Sequence, residues 1–191
     1  MTTTTTNPLL LLPNIITIAR VFAIFPIAWM VMDGNITLRI IALVVYVVAA
    51  ASDWIDGYLA RAWNQQSAFG RMLDPIADKV LVGILITALA WDGSFSGWDM
   101  IPAIAILFRE FFIPGLREFL GNATVILPVS PLAKWKTTVQ LVALAVVIAE
   151  RIIPGLGLIS DILLWLAGIL TVWTGWQYLR ASWPHLTGPA R

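Results

Sequence analysis

Six stretches of the chain stay apolar for about the roughly 20 residues that a bilayer crossing needs, with polar or turn-forming residues marking the gaps between them. They lie near Ile15 to Met32, Leu38 to Leu59, Leu73 to Trp91, Met100 to Leu120, Leu132 to Ile153 and Leu158 to Leu179. The gaps Asp33-Gly34-Asn35, Asp92-Gly93-Ser94 and Pro154-Gly155-Leu156-Gly157 carry the glycine and proline that let helical hairpins turn. The pattern predicts an all-α fold, a polytopic integral membrane protein made of a six-transmembrane-helix bundle with short loops. No internal repeat at a fixed period is visible. Met1 to Asn7 is a threonine run without apolar periodicity and reads as a disordered tail. It lacks the basic leading region of a signal peptide, and the leucine patch that follows is cut short by Pro13, so that patch is expected to lie at the membrane interface.

Composition sharpens this picture. Of 191 residues, 59% are hydrophobic and only 12% charged, where a soluble domain has about 25% charged, so a water-soluble fold is excluded. The absence of cysteine removes disulfides, thiolate metal sites and cysteine nucleophiles. The single histidine, His185, stands near the end of the chain, which leaves carboxylates, lysines, arginines and backbone groups to carry any chemistry. Placing the N-terminus inside puts two basic residues, Arg39 and Arg151, and five acidic ones, Asp33, Asp92, Asp99, Glu150 and Asp161, on the outer side, against ten basic and six acidic on the inner. Retention of Lys and Arg on the cytoplasmic side then predicts that both termini are cytoplasmic. The ten tryptophans agree, falling near expected span ends at Trp29, Trp91, Trp98 and Trp165 outside and at Trp54, Trp63, Trp135, Trp173, Trp176 and Trp183 inside.

Four of the scarce charges gather at one level. Asp53 and Asp56 stand three apart near the inner end of the second span, and Asp74 and Asp78 four apart at the inner start of the third. Both spacings put a pair on one helix face. The short connection from Ala62 to Phe69 predicts that the two helices pack antiparallel and bring the pairs together. Four carboxylates in a poorly hydrated place require either raised pKa values or bound hard cations. Two divalent ions would balance the charge, and oxygen-only ligands suit Mg²⁺ or Mn²⁺ better than zinc. The alternative is four ordinary surface carboxylates at helix ends. Gly57 and Gly70 beside them allow close approach of a ligand or simply of another helix.

The string Asp53-x2-Asp56-Gly57-x2-Ala60-Arg61-x8-Gly70-x3-Asp74-x3-Asp78 resembles the complete signature of the CDP-alcohol phosphotransferases, without departure at any of its eight positions. Eight fixed identities arise by chance on the order of once in 10¹⁰ start points at average usage. The resemblance implies an enzyme, a phosphotransferase that uses two divalent cations, Mg²⁺ or Mn²⁺, on a CDP-linked lipid. It implies that Asp53, Asp56, Asp74 and Asp78 hold the metals and that Asp78 also takes the acceptor hydroxyl proton. Gly57, Arg61 and Ser67 would contact the cytidine diphosphate portion, with Asn14, Thr17, Ala60 and Gly70 completing the CDP-lipid site. The chain then divides into residues 1–12 as tail and interfacial segment, 13–181 as the six-helix catalytic domain and 182–191 as a cytoplasmic tail.

The acceptor is read from the remaining cations. Arg109 and Arg117 lie in the fourth span, with Pro114-Gly115 between them to bend it, and Lys134 and Lys136 open the fifth. Charges buried this deeply face a polar cavity, and a phosphorylated acceptor would give them a partner. Pairing with Glu110 and Glu118 is the alternative. Three stretches are similar to the phosphatidylglycerophosphate synthase branch of the family: Leu12 to Arg20, Arg109-Glu110 with Leu116-Arg117, and Lys134-x-Lys136-Thr137-x2-Gln140. That branch implies transfer from CDP-diacylglycerol to sn-glycerol-3-phosphate, with Arg20, Arg109, Arg117, Lys134 and Lys136 on the acceptor phosphate. Arg20 could instead meet either substrate's phosphate or reach up to the inner surface. The expected setting is a bacterial inner membrane with the site facing the cytoplasm, membrane lipids and a second copy of the chain as partners, and no nucleic acid. Inositol phosphate, phosphatidylglycerol or serine as acceptor, and from another class an ion-coupled transporter, remain open at this point.

Overall fold

The computed structural model describes residues 11–63, 67–95, 97–122 and 131–187, with the side chains of 56–61, 122, 131, 133 and 134 outside the description. Its described residues form six α-helices and no strand: α1 Leu12–Met32, α2 Ile36–Ala62, α3 Ala68–Trp91, α4 Met100–Asn122, α5 Pro131–Glu150 and α6 Gly157–Thr187. The chain divides into two compact units, Met1–Asp92 and Gly93–Arg191. Within the first, α1 packs along both α2 and α3; within the second, α6 packs along both α4 and α5.

Local chemistry sets the helix boundaries. Pro13 falls in the first turn of α1, where the helix has no acceptor for its own N–H groups, so the helix starts at Leu12, before the expected Ile15. Asn14 is thereby helical, and Asn14, Thr17 and Arg20 are all buried on the inward side of α1. That side becomes apolar farther on, at Ile24, Ile27, Ala28 and Val31. Gly34 turns the chain between α1 and α2 at φ 81°, a conformation costly for any residue with a Cβ. Asn35 then caps α2, its Oδ1 accepting from the Thr37 backbone N–H at 2.8 Å. The fifth helix stops at Glu150, short of Ile153, and the sixth continues past Leu179 through Pro184 to Thr187.

The core of the first unit is Ile24, Ile27 and Val31 against Ala42, Tyr46 and Ala49 of α2 and Ala77, Leu81, Leu85 and Leu89 of α3. Small residues at Ala42 and Ala49 let helices approach closely. In the second unit, Gly168 of α6 lies so near α4 that a Cβ there would sit 2.6 Å from Pro102 Cβ and 3.0 Å from its Cα. The outward surfaces are rich in exposed Phe22, Phe25, Val48, Ile104, Phe108, Phe111, Ile162, Ile169 and Trp173, a coat that suits lipid. Helices α1, α6 and the Ile36–Ile55 part of α2 are long and apolar enough to cross a membrane. The other three carry most of the helical charge, and the candidate functional side chains come from both groups, from α1 and α2 as well as from α3, α4 and α5.

Candidate active site

The aspartates of the first unit are joined through α1. Arg20 has a side chain only 1% exposed, and its Nη1 donates to Asp53 Oδ1 of α2 at 2.6 Å and to Asp78 Oδ1 of α3 at 3.2 Å. One turn earlier the Thr17 hydroxyl lies 3.1 Å from Asp74 Oδ1 and 3.1 Å from the Pro13 carbonyl, so its one proton has two acceptors. One turn earlier again Asn14 Nδ2 donates to Ser67 Oγ at 2.8 Å, and Ser67 caps α3 by accepting from the Gly70 N–H at 2.9 Å. Each polar residue of α1 thus holds one part of the site. Of the two predicted pairs, Asp53 of α2 and both Asp74 and Asp78 of α3 are held by this third helix.

In this set two carboxylates, Asp53 and Asp78, share one guanidinium, and a third, Asp74, meets the Thr17 hydroxyl. Side chains of Asp53 and Asp78 are 41% and 44% exposed while Arg20 is buried, so the carboxylates open outward from a fixed cationic floor. Among the described residues, no three acidic or histidine side chains stand close enough to ring a metal by themselves. The donor chemistry nevertheless fits a hard divalent ion: oxygen ligands only, partly hydrated, on two helices pinned to the same third one. Asp56, with Gly57, Ala60 and Arg61, belongs to the backbone of α2, but these four side chains lie outside the described residues. At Gly70 an added Cβ would fall 2.5 Å from Asn14 Oδ1 and 3.3 Å from Ser67 Oγ, so this glycine's close approach is to α1.

The expected acceptor-binding cations form a different arrangement in the second unit. Glu110 accepts from Arg109 Nη1 at 3.1 Å and also from Lys136 Nζ, tying α4 to α5. Lys136 is 2% exposed and Glu110 11%. Among the described residues, Arg109 Nε, also buried, has no hydrogen-bond partner, nor does the buried Oε1 of Gln140. Arg117 goes elsewhere, its guanidinium carbon 5.2 Å from the Tyr178 ring centroid in a cation–π contact. Lys134 lies outside the described side chains. Of the four cations that were to converge, the structure brings Arg109 and Lys136 together, on a glutamate.

Sequence reading placed Arg39 and Asp92 among the residues that set orientation at the outer surface. They form a buried ion pair, Arg39 Nη1 to Asp92 Oδ2 at 2.5 Å with the two side chains 2% and 3% exposed, clasping the start of α2 to the end of α3. Glu110 was named only as a counter-ion, and its role as hub was missed. A carboxylate inside an apolar helix next to an arginine was the available signal, since an intramembrane charge finds a partner of opposite sign.

The CDP-alcohol phosphatidyltransferase family model matches residues 10–173. A CDP-diacylglycerol–glycerol-3-phosphate 3-phosphatidyltransferase of Rickettsia bellii is 44% identical over 174 residues, covering 89% of this chain and 94% of the relative. Proteins of the same name from Cereibacter sphaeroides and Pseudomonas fluorescens are 37% and 36% identical, covering 92% and 94% of this chain and 96% and 94% of their own lengths. With the family match running from before α1 into α6 and including every described carboxylate of the site, the chain belongs to the CDP-alcohol phosphatidyltransferase family and is an enzyme of that class.

Proposed function

We propose that the protein transfers the phosphatidyl group of CDP-diacylglycerol to sn-glycerol-3-phosphate, giving phosphatidylglycerophosphate and CMP. The observation that carries the reading is the tether of Asp53, Asp74 and Asp78 to Arg20 and Thr17 of α1, in a chain whose relatives bear that activity in their names. Asp53, Asp56, Asp74 and Asp78 would hold two divalent cations, Mg²⁺ or Mn²⁺. When bound, such ions neutralise pyrophosphate charge and ease departure of CMP. Asn14, Thr17, Gly57, Ala60, Arg61, Ser67 and Gly70 are assigned to the CDP-lipid. Arg20, at the carboxylates, is assigned to substrate phosphate, and Arg109, Lys134 and Lys136 to the acceptor's phosphate, while Arg117 is held on the Tyr178 ring.

The acceptor hydroxyl oxygen forms the new bond to the phosphatidyl phosphorus as the bond to CMP breaks. Its proton passes to the Asp78 carboxylate, which Arg20 orients through Oδ1. Direct attack suits a chain without cysteine, whose one histidine, His185, stands in the last turn of α6. The inner membrane of a bacterium, cytoplasmic termini, a cytoplasm-facing site and a homodimer belong to the same proposal. The excess of Lys and Arg on the assigned inner side supports the orientation.

Purified protein with CDP-diacylglycerol and Mg²⁺ or Mn²⁺ should release CMP when given sn-glycerol-3-phosphate, and far less with inositol phosphate, serine or phosphatidylglycerol. Release with one of those three and none with glycerol phosphate would refute the acceptor and spare the family.

A further inference from the structure

Helix α5 buries two polar side chains on its inward side, Lys136 at 2% exposure and Gln140 at 1%, followed by the apolar Ala143, Leu144, Val147 and Ile148. Four residues apart, Lys136 and Gln140 share one face, one turn along the helix. Lys136 meets Glu110 and through it Arg109, whereas the Oε1 of Gln140 is buried and accepts no hydrogen bond from the described residues. A buried, unsatisfied amide oxygen costs about 1–3 kcal/mol, and packing does not require it, since methionine fills nearly the same volume. A hydroxyl that reaches it gains a hydrogen bond to an acceptor already withdrawn from bulk solvent. Arg109, which shares Glu110 with Lys136, offers the complementary case, an Nε that is buried and has no acceptor among the described residues. A cation suits an anionic oxygen and a buried acceptor suits a hydroxyl, so the buried face of α5, with Lys136 one turn from Gln140, matches a ligand that carries both, a polyol phosphate.

We infer that Gln140 is a specificity-determining residue for the acceptor. Its Oε1 accepts a hydrogen bond from the unreactive hydroxyl on the middle carbon of sn-glycerol-3-phosphate, while Arg109 and Lys136 hold the phosphate. The inference rests on the acceptor reading given above. The terminal hydroxyl is the one that attacks phosphorus and loses its proton, and the middle hydroxyl keeps its proton and donates it to Gln140. An acceptor without that hydroxyl leaves Gln140 unsatisfied, which is how a buried polar group discriminates between otherwise similar substrates.

The test compares sn-glycerol-3-phosphate with 3-hydroxypropyl phosphate, which keeps the reacting hydroxyl, the phosphate and the chain length and lacks only the middle hydroxyl. Full-length protein with CDP-diacylglycerol and divalent metal should favour glycerol phosphate in kcat/KM by roughly 10- to 100-fold. Gln140→Met should bring that ratio to within about threefold of unity, chiefly through KM for glycerol phosphate, and Gln140→Glu, which keeps an acceptor oxygen, should retain the preference. A wild-type ratio near unity overturns the inference without any variant, as does a ratio that Gln140→Met leaves unchanged. Failure of the acceptor reading looks different: neither compound supports CMP release while another alcohol does, and both claims then fall.

Discussion

The two units handle buried charge in opposite senses. In the first, one arginine lies at the centre of a hydrogen-bonded group of carboxylates; in the second, one glutamate lies between an arginine and a lysine. Each central residue lowers the cost of burying its partners but does not cancel them, so the first group keeps surplus negative charge and the second surplus positive charge. The exposures differ too. In the first unit the central Arg20 is sealed and the partners open outward, while in the second the partner Lys136 is as buried as any residue of the core. A half-open anionic group suits exchangeable divalent cations and their bridged phosphates, and a buried cationic group suits selection of one anionic substrate. That contrast supports the proposed division of labour between metal chemistry in the first unit and acceptor choice in the second.

The largest expected effect lies in the anionic unit and separates chemistry from binding within it. Asp78→Asn should lower kcat by about 10²- to 10⁴-fold, the usual contribution of a positioned base, while CDP-diacylglycerol binding changes little. Asp53→Asn should instead raise the metal concentration needed for activation by roughly tenfold or more and weaken nucleotide binding in parallel. Metal titrations of CMP release, read beside direct binding of the CDP-lipid, distinguish the two. Equal retention of activity in both variants would remove the aspartates from the mechanism.

Next comes a stability contrast between the central residues. Glu110→Gln removes the carboxylate that balances the deeply buried Lys136 and should cost about 3 kcal/mol. Arg20→Gln releases Asp53 and Asp78, whose 41% and 44% exposure lets water screen them, so the loss should be about 1 kcal/mol. Thermal unfolding in detergent should therefore show the larger drop in midpoint for Glu110→Gln, although Arg20→Gln has the larger effect on turnover. The reverse order of midpoints would break the comparison.

These groups were unequally legible in the sequence. Helix periodicity put Asp53 with Asp56 and Asp74 with Asp78 on single faces, and the apolar runs located six helices to within a few residues at most ends, because both depend on neighbours three or four apart. The arrangement of the partners depends on pairs far apart in the chain: 33 residues from Arg20 to Asp53, 53 from Arg39 to Asp92 and 26 from Glu110 to Lys136. Local spacing carries no trace of such pairs. Hence Arg39 and Asp92 read as surface charges when they form a buried clasp, and the four cations read as converging when Arg117 stacks on Tyr178. The end of α6 was missed for another reason. The apolar run fades near Leu179, but the helix continues to Thr187, with the Ser182 and Thr187 hydroxyls bonded back to the carbonyls of Tyr178 and Trp183.

The smallest effect sharpens the comparison at the level of helix packing, because each unit has a glycine where a Cβ would collide. At Gly168 the collision is with Pro102 Cβ at 2.6 Å and Cα at 3.0 Å, a ring and backbone that cannot swing aside. At Gly70 it is with Asn14 Oδ1 at 2.5 Å, the end of a side chain that can rotate, but only by giving up its bond to Ser67. Gly168→Ala should therefore cost about 2–3 kcal/mol of stability, near the upper end for overpacking, and Gly70→Ala about 1 kcal/mol. The functional order is inverted: Gly70→Ala disturbs the contact that joins α1 to the cap of α3, so apparent affinity for CDP-diacylglycerol should fall, whereas Gly168→Ala protein that folds should retain it. Adding Asn14→Ala should remove most of the stability cost of Gly70→Ala, because the two changes share one contact and cannot add. Strict additivity of Asn14→Ala and Gly70→Ala in thermal unfolding would mean that the close approach at the site does not constrain α3, leaving Arg20 and Thr17 as the groups that hold it to α1.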